Sequence, residues 1–307
     1  MLKFIFKRLL IIIPTALVVV TITWGLIRLA PGNFYSGEKK LPAAVEANIR
    51  AKYGLDKPWY QQYLMFLGRF VRGDFGDSLK YPGQTVNEII LRHFPYSAIL
   101  GLLAYALALA TGFSLGLISA AAQNTRADYL SMSAALVGLS VPNFVLAPIM
   151  VLLGAFWFYL LPPARWGGAA NLILPVISLS AIYAAYIARL TRAGFIETLK
   201  SDFVRTARAK GLPEWQVMLR HSIWGAVVPI VSFTGPALAN LLAGTVVVEK
   251  IFALPGLGDI FIKSILNRDE PLILGIVAFF SVLIMVLNLI VDIAYAWLDP
   301  RIRFETE

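Results

Sequence analysis

Long apolar runs constrain this chain more than any other feature of its sequence. Six stand out, at roughly 9–29, 97–119, 130–160, 172–190, 226–248 and 273–297, each long enough to cross the ~30 Å of hydrocarbon that takes about 20 helical residues. In lipid every backbone polar group must be satisfied within the segment, so such runs fold as helices. Composition agrees: 58% of the 307 residues are hydrophobic and 15% charged, where a soluble domain carries about 25% charged residues. The expected fold class is an all-α integral membrane protein with six transmembrane helices.

Several function classes fall away early. There is no cysteine, hence no disulfide and no thiolate metal site, and the two histidines, His93 and His221, lack companions at ligand spacing. No metal site and no cofactor on this chain are expected. The net charge of +9 suits an anionic membrane surface better than nucleic acid in so apolar a chain. Lys3, Lys7 and Arg8 precede the first run as in a secretory signal. That run is longer than a signal's 7–15 apolar residues and ends at Arg28 and Pro31 with no small-x-small site, so it reads as an uncleaved first span.

The third run, at about 31 residues, exceeds the bilayer thickness, so it tilts, kinks at Pro142 and Pro148, or splits in two. Charge argues against splitting. With six spans and a cytoplasmic start, the short inner segments hold Arg126, Arg189, Arg192, Lys200, Arg205, Arg208, Lys210, Arg220, Arg301 and Arg303 besides the N-terminal cluster. The short outer loops hold only Arg165, Lys250, Lys263 and Arg268, as the positive-inside rule requires. Both termini of this multi-pass protein are expected on the cytoplasmic side. The chain then divides into an N-terminus and first span (1–29), an external helical segment (30–96), a five-helix core (97–298) with an inner loop at 195–225, and a tail (299–307). In the external segment a helix is expected at 41–53 with Pro42 in its first turn and Gly54 past its end. A second is expected at 59–71. Thr85-Val86-Asn87-Glu88 forms a capping box opening a short helix that Pro95 stops before span two.

The spans carry polar and helix-breaking residues that a pure anchor does not need. Pro142 and Asn143 lie in span three, Ser178, Ser180, Tyr183 and Tyr186 in span four, and Pro236 and Asn240 in span five. Such groups are tolerated at membrane depth where they face other helices or a water-filled cavity, so these eight are the candidates for lining a solute path. Gly112 and Gly116 form a GxxxG pair in span two, read as close helix packing.

The inner loop after span four is the most informative stretch. Ser201-Asp202 offers a helix N-cap, Arg205, Arg208 and Lys210 put positive charge at that helix's C-terminal end, Gly211 supplies a left-handed stop and Pro213 opens a second helix to about His221. A loop needed only for its charge requires neither the Gly nor the Pro, so the segment reads as a rigid docking knob. The driving force for transport is expected to come from other chains. No G-x-x-x-x-G-K-[ST] is present: Gly256, Gly258 and Lys263 are wrongly spaced. The one acid within a span, Asp292, sits near an inner end, suited to capping or pairing with an arginine.

At this point the chain resembles the dipeptide/oligopeptide type of binding-protein-dependent ABC transporter permease. The marks are Arg8-Leu9…Pro14, Arg28-Leu29-Ala30-Pro31-Gly32, Gly73-Asp74-Phe75-Gly76-Asp77-Ser78, Val141-Pro142-Asn143-Phe144, Arg205-Thr206-Ala207-Arg208-Ala209-Lys210-Gly211-Leu212, Glu249-Lys250-Ile251-Phe252…Pro255-Gly256-Leu257-Gly258 and Asp292…Leu298-Asp299-Pro300-Arg301-Ile302-Arg303. The spacing within 37–42 and 47–53 looks like the B-subunit branch of oligopeptide permeases. The resemblance implies a type I importer permease fold and an importer for oligopeptides; dipeptides, nickel, glutathione or antimicrobial peptides are the alternatives within the family. It also implies that ATP and Mg are bound by partner ATPases and not by this non-enzymatic subunit. The implied partners are a homologous second permease, two ATPases and a periplasmic or surface-anchored peptide-binding protein. Thr206, Ala207 and Gly211 then match the coupling motif's small positions, and Leu212, Pro213, Glu214, Trp215 and Val217 its docking helix. Arg205 stands where the motif has Glu, and the motif's later proline appears only at Pro229. Glu249, Phe252, Pro255, Gly256 and Asp259 would meet the binding protein. An autonomous carrier or channel and a membrane scaffold with no pathway are the rivals from other classes.

Overall fold

The computed structural model of the chain describes residues 2–29, 54, 56–163, 165–243 and 245–298, and the side chains of these except at 2–5, 7 and 295–298. The helix expected at 41–53, the motif beyond Leu29, Gly244 and the tail from Asp299 lie outside the described residues. Twelve helices are named here in chain order: α1 (Leu2–Leu29), α2 (Trp59–Val71), α3 (Val86–Ala121), α4 (Arg126–Ser140), α5 (Asn143–Val151), α6 (Ala170–Leu199), α7 (Asp202–Ala209), α8 (Glu214–Gln216), α9 (Ile223–Ala243), α10 (Val246–Ile251), α11 (Leu257–Leu266) and α12 (Glu270–Leu298). Wider π-type turns prolong α5 over Leu152–Trp157 and join α8 to α9 over Val217–Ser222.

Five stretches are long and apolar enough to cross a membrane, and α4 with the α5 stretch makes a sixth, bent by 102°. Pro142 causes the bend. A residue before proline is forced out of the helical region: Val141 sits extended at φ −106°, ψ 116°, α4 ends at Ser140, and Pro142 caps a new helix. The third span is therefore broken at Pro142, while Pro148 is accommodated inside α5.

A second proline behaves otherwise than expected. The capping box at Thr85 is present, with the Glu88 N–H donating to Thr85 Oγ1 at 3.2 Å and the Thr85 N–H to Glu88 Oε2 at 3.1 Å. The helix it opens does not stop at Pro95. It runs on as α3 for 36 residues, so the external segment and the core share one helix and no boundary falls at 96/97. Ile89 and Ile90, before the proline, are buried against Leu257, Ile260, Leu272 and Ile276, and that burial holds the first turns in line with the span.

α6 is the central helix, and glycine brings its neighbours close. A Cβ on Gly112 or Gly116 of α3 would lie 2.5 Å from the Ala184 or Ala188 carbonyl oxygen, and one on Gly138 of α4 2.5 Å from that of Ala181. The GxxxG pair is thus a packing surface on which backbones touch. These contacts run α3 parallel to α6. Arg8–Asp292 (3.2 Å) and Arg28–Glu270 (3.3 Å) run α1 antiparallel to α12. The start of α1, the α3–α4 turn, the α6–α9 connection and the end of α12 consequently share one end of the bundle, the knuckle end below. Asp292 pairs with an arginine, as its position in the sequence suggested.

At the opposite end α2 rests on α1, with the Tyr63 hydroxyl 2.5 Å from Thr21 Oγ1 and its ring 5.3 Å from that of Trp24. Gly73-Asp74-Phe75-Gly76-Asp77-Ser78 is a folded turn: Gly73 and Gly76 adopt φ +71° and +82°. Buried Asp269, just before α12, accepts from Ser78 Oγ and from the N–H groups of Leu79 (3.1 Å), Lys80 (3.0 Å) and Leu272 (3.3 Å). One carboxylate thus caps α12 and anchors the external segment to it.

Candidate functional site: the knuckle and the polar face

The α6–α9 connection is a built knuckle. α7 ends in a Schellman motif: the Gly211 N–H donates to the Arg208 carbonyl (2.9 Å) and the Leu212 N–H to that of Ala207 (3.4 Å), with Gly211 at φ +79°. Leu212 and Ala207 share a small core with buried Val204 and Val217 and with Leu199. Pro213 then caps α8. Ser201 occupies the N-cap position of α7, but its side chain caps nothing; its hydroxyl donates to the Thr198 carbonyl at 2.6 Å, while Thr206 Oγ1 donates to Asp202 O at 2.9 Å. Arg208 grips Glu214 with two hydrogen bonds, of 3.1 and 2.5 Å, locking α7 to α8; this hydrogen bond pushes the Arg208 guanidinium further above its usual range.

The predicted knuckle residues therefore separate into two sets. Ala207 and Val217 are buried and Leu212 half-buried, so they hold the shape. Arg205, Thr206, Gly211, Pro213, Glu214 and Trp215 are exposed, and so are Phe203 and Leu219, which sequence reasoning missed. Trp215 is 63% and Phe203 55% exposed. Large aromatic groups on a rigid, rim-charged knob are what a docking surface uses as anchors.

The knuckle's two arms come into backbone contact at a pair of glycines. A Cβ on Gly194 of α6 would lie 2.1 Å from the Gly225 carbonyl oxygen of α9, and one on Gly225 would lie 1.8 Å from Thr198 Oγ1. No motif announces this crossing; two glycines flanking a capped loop are its only trace in the sequence.

The eight path candidates also divide. Ser178 and Ser180 are buried at 0% and 4% exposure, their hydroxyls donating to the Leu174 (2.8 Å) and Ile177 (3.0 Å) carbonyls, so they pack within the bundle and line no open face. Pro236 and Asn240 are exposed, and with exposed Ser232 they form a stripe along α9 at helical spacing. Beside it the Phe233 ring meets Tyr183 (6.4 Å) and Tyr186 (5.6 Å), and the Arg189 guanidinium lies 5.1 Å from the Tyr186 ring. At the helix break Pro142 is exposed and Asn143 half-buried, its Oδ1 without a partner among the described residues.

The loop over α10 and α11 is organised around Glu249, 1% exposed. Its Oε1 accepts from Ser97 Oγ (2.6 Å) and Thr245 Oγ1 (2.5 Å), and its Oε2 from the Asp259 N–H (3.1 Å) at the start of α11. Gly256 is required there, since its Cβ would lie 2.2 Å from the carboxylate carbon. Phe252, Gly256 and Asp259 are likewise buried. These four residues are buried and shape the loop, with Asp259 paired to exposed Lys250 and to Lys263. Pro255 is half-buried, its carbonyl 2.8 Å from His93 Nδ1. Lys250 and Ala253 are exposed on this loop, as are Val247, Ile265 and Leu266.

Two family models match the chain. Residues 112–304 match the model described as "Binding-protein-dependent transport system inner membrane component", and residues 1–100 match the N-terminal model of such membrane components. The chain belongs to this family. It is 44% identical over 306 residues to the oligopeptide transport system permease protein OppB of Haemophilus influenzae, and 45% identical to OppB of Escherichia coli K12, covering 99% of this chain and all of each relative. It is 39% identical to the dipeptide transport system permease protein DppB of Bacillus subtilis, over 99% of this chain and 98% of that one. Two solved structures share the fold: an amino acid ABC transporter (TM-score 0.54, 18% identity, 69% of this chain and 94% of that one) and the MetNI methionine ABC transporter (0.57, 14%, 69% and 96%). The chain is thus a multi-pass inner-membrane permease subunit with the ABC importer fold.

Proposed function

We propose that this permease subunit imports oligopeptides, and that two ATPase subunits drive it by gripping the knuckle at residues 201–222 from the cytoplasm. A homologous second permease completes the path, and a peptide-binding protein delivers cargo to the opposite face. The observation that carries the reading is the end-to-end likeness to proteins named as oligopeptide permeases. The exposed Phe203 and Trp215 on a capped knob give the ATPases something rigid to hold. The start of α1 and the end of α12 lie at the knuckle end, and the charge asymmetry of the loops supports a cytoplasmic position for that end. Alternating access follows: closing ATPases draw the knuckles together, and α6 and α9 carry that motion into the bundle. The stripe of Ser232, Pro236 and Asn240 with its tyrosine flank suits cargo of varied side chain, since it offers hydrogen bonds and aromatic surface, with Arg189 at one end as its charged group.

The likeness to dipeptide permeases supports a second reading, in which cargo is shorter. Proteoliposomes holding this chain, its partner permease and both ATPases, with binding protein added, separate the two. Uptake of a labelled peptide of several residues, dependent on ATP and poorly competed by dipeptides, is expected. Uptake that dipeptides abolish selects the second reading, and uptake by this chain alone without ATP contradicts both.

A further inference from the structure

Asp128 and Arg192 form a paired site that the sequence does not announce and that packing alone does not need. Asp128, in the first turn of α4, is 2% exposed. Arg192, on α6, addresses it with both edges of its fork, Nε to Oδ1 and Nη2 to Oδ2, each at 2.9 Å. Ser119 Oγ, near the end of α3, donates to Oδ1, and the Asn124 N–H to Oδ2 at 2.9 Å, with Asn124 held at φ +63°. The α3–α4 turn is wrapped around one carboxylate whose charge is answered from α6. Among the described ion pairs this carboxylate is the most buried, its side chain 3% exposed.

The placement gives the pair a mechanical meaning. Arg192 stands seven residues, about 10 Å at 1.5 Å per residue, before the end of α6 at Leu199, where the knuckle begins, and two residues from the Gly194 crossing. The glycine contacts at Gly112 and Gly116 already hold α3 against α6, but smooth small-residue surfaces allow rotation and sliding. A bidentate guanidinium–carboxylate pair does not, because its two parallel bonds fix one orientation. A buried ion pair is in itself poor evidence for added stability and better suited to fixing a register. From this geometry we infer that Asp128 and Arg192 are positioning residues for coupling: they clamp the α3–α4 turn to α6, so that motion imposed on the knuckle carries α3 and α4 with it. The inference rests on the proposal that ATPases drive the knuckle. Without the clamp α6 moves under the ATPases while α3 and α4 lag, and ATP is spent without transport.

Coupling must be shown by measurement, since spatial intermediacy is not enough. In proteoliposomes of the complete transporter, the readout is ATP hydrolysed per peptide imported. Arg192→Gln is expected to raise that ratio at least tenfold, and Arg192→Lys, which keeps the charge but not the fork, to fall between. A wild-type complex that shows no ATP-driven uptake refutes the underlying functional proposal. A wild type that does so, with a variant ratio unchanged, overturns the clamp alone. A second measurement leaves the pair intact and so does not depend on the variants' folding. With spin labels at Gln123→Cys on the turn and Lys210→Cys on the knuckle, both exposed, the clamp keeps their separation constant between nucleotide-free and ATP-trapped states. A change of several ångströms between those states overturns it.

Discussion

Replacing Gly194 with alanine adds one methyl group where the knuckle's arms cross. That methyl would lie 2.1 Å from the Gly225 carbonyl oxygen, 2.6 Å from its carbon and 2.8 Å from Ala226 Cα. Non-bonded carbon contacts settle near 3.5–4.0 Å, so α6 and α9 must part by roughly 1 Å, and no flexible side chain is available to give way. Overpacking of this kind costs about 1–3 kcal/mol, and a shift of one kcal/mol moves the melting temperature of a domain this large by about 2–4 °C. Gly211→Ala is the control. Its Cβ meets nothing within 4 Å, so its cost is only the left-handed backbone at φ +79°, about 1–2 kcal/mol. Both variants are expected to insert. Gly194→Ala is expected to lose most transport because the lever's arms no longer move as one, and Gly211→Ala to lose less. Thermal unfolding in detergent and ATP-driven uptake in proteoliposomes check this. Wild-type melting and uptake by Gly194→Ala would refute the crossing as a fulcrum.

Three further outcomes are expected. Asp269→Ala strands the buried Leu79 N–H, costing about 1–3 kcal/mol for a group left buried and unpaired, and releases the Lys80 N–H to solvent; limited proteolysis should then cut the 73–85 turn far faster than in wild type, and equal rates count against the anchor. Asn240→Trp should depress peptide uptake several-fold with little change in melting temperature, whereas Ser178→Trp should destabilise the bundle, and the reverse pattern contradicts the division of path from packing residues. Glu214→Gln weakens a pair that is 42% and 57% exposed, so stability should fall by less than about 1 kcal/mol, as a double-mutant cycle with Arg208→Gln measures.

What the sequence revealed was local, and what it hid was long-range. Gly211 and Pro213 predict the knuckle because a left-handed stop and a helix opener act within a few residues, and Thr85 with Glu88 does the same for α3. Apolar run length gave six spans for the same reason. Pro95 and Pro142 show the limit: one sits inside a continuous helix and the other breaks a span by 102°. Neighbours far along the chain decide which, as burial of Ile89 and Ile90 against α11 and α12 decides for Pro95. Ser178 and Asn240 are both polar residues in apolar helices, and only packing reveals that one is buried and the other open. The resemblance made Glu249 a candidate contact residue, yet it is buried and three groups, Ser97 Oγ, Thr245 Oγ1 and the Asp259 N–H, donate hydrogen bonds to it. Asp128 and Arg192, 64 residues apart, leave no periodic trace.

The absence of cysteine makes the deciding measurement clean. Trp215→Cys is made in the complete transporter and treated in intact cells and in inverted vesicles with a membrane-impermeant maleimide. The ATPase-driven account predicts labelling only from the cytoplasmic side, lost when the ATPases are bound and restored when they are stripped away. Labelling from outside the cell, or labelling indifferent to the ATPases, contradicts it.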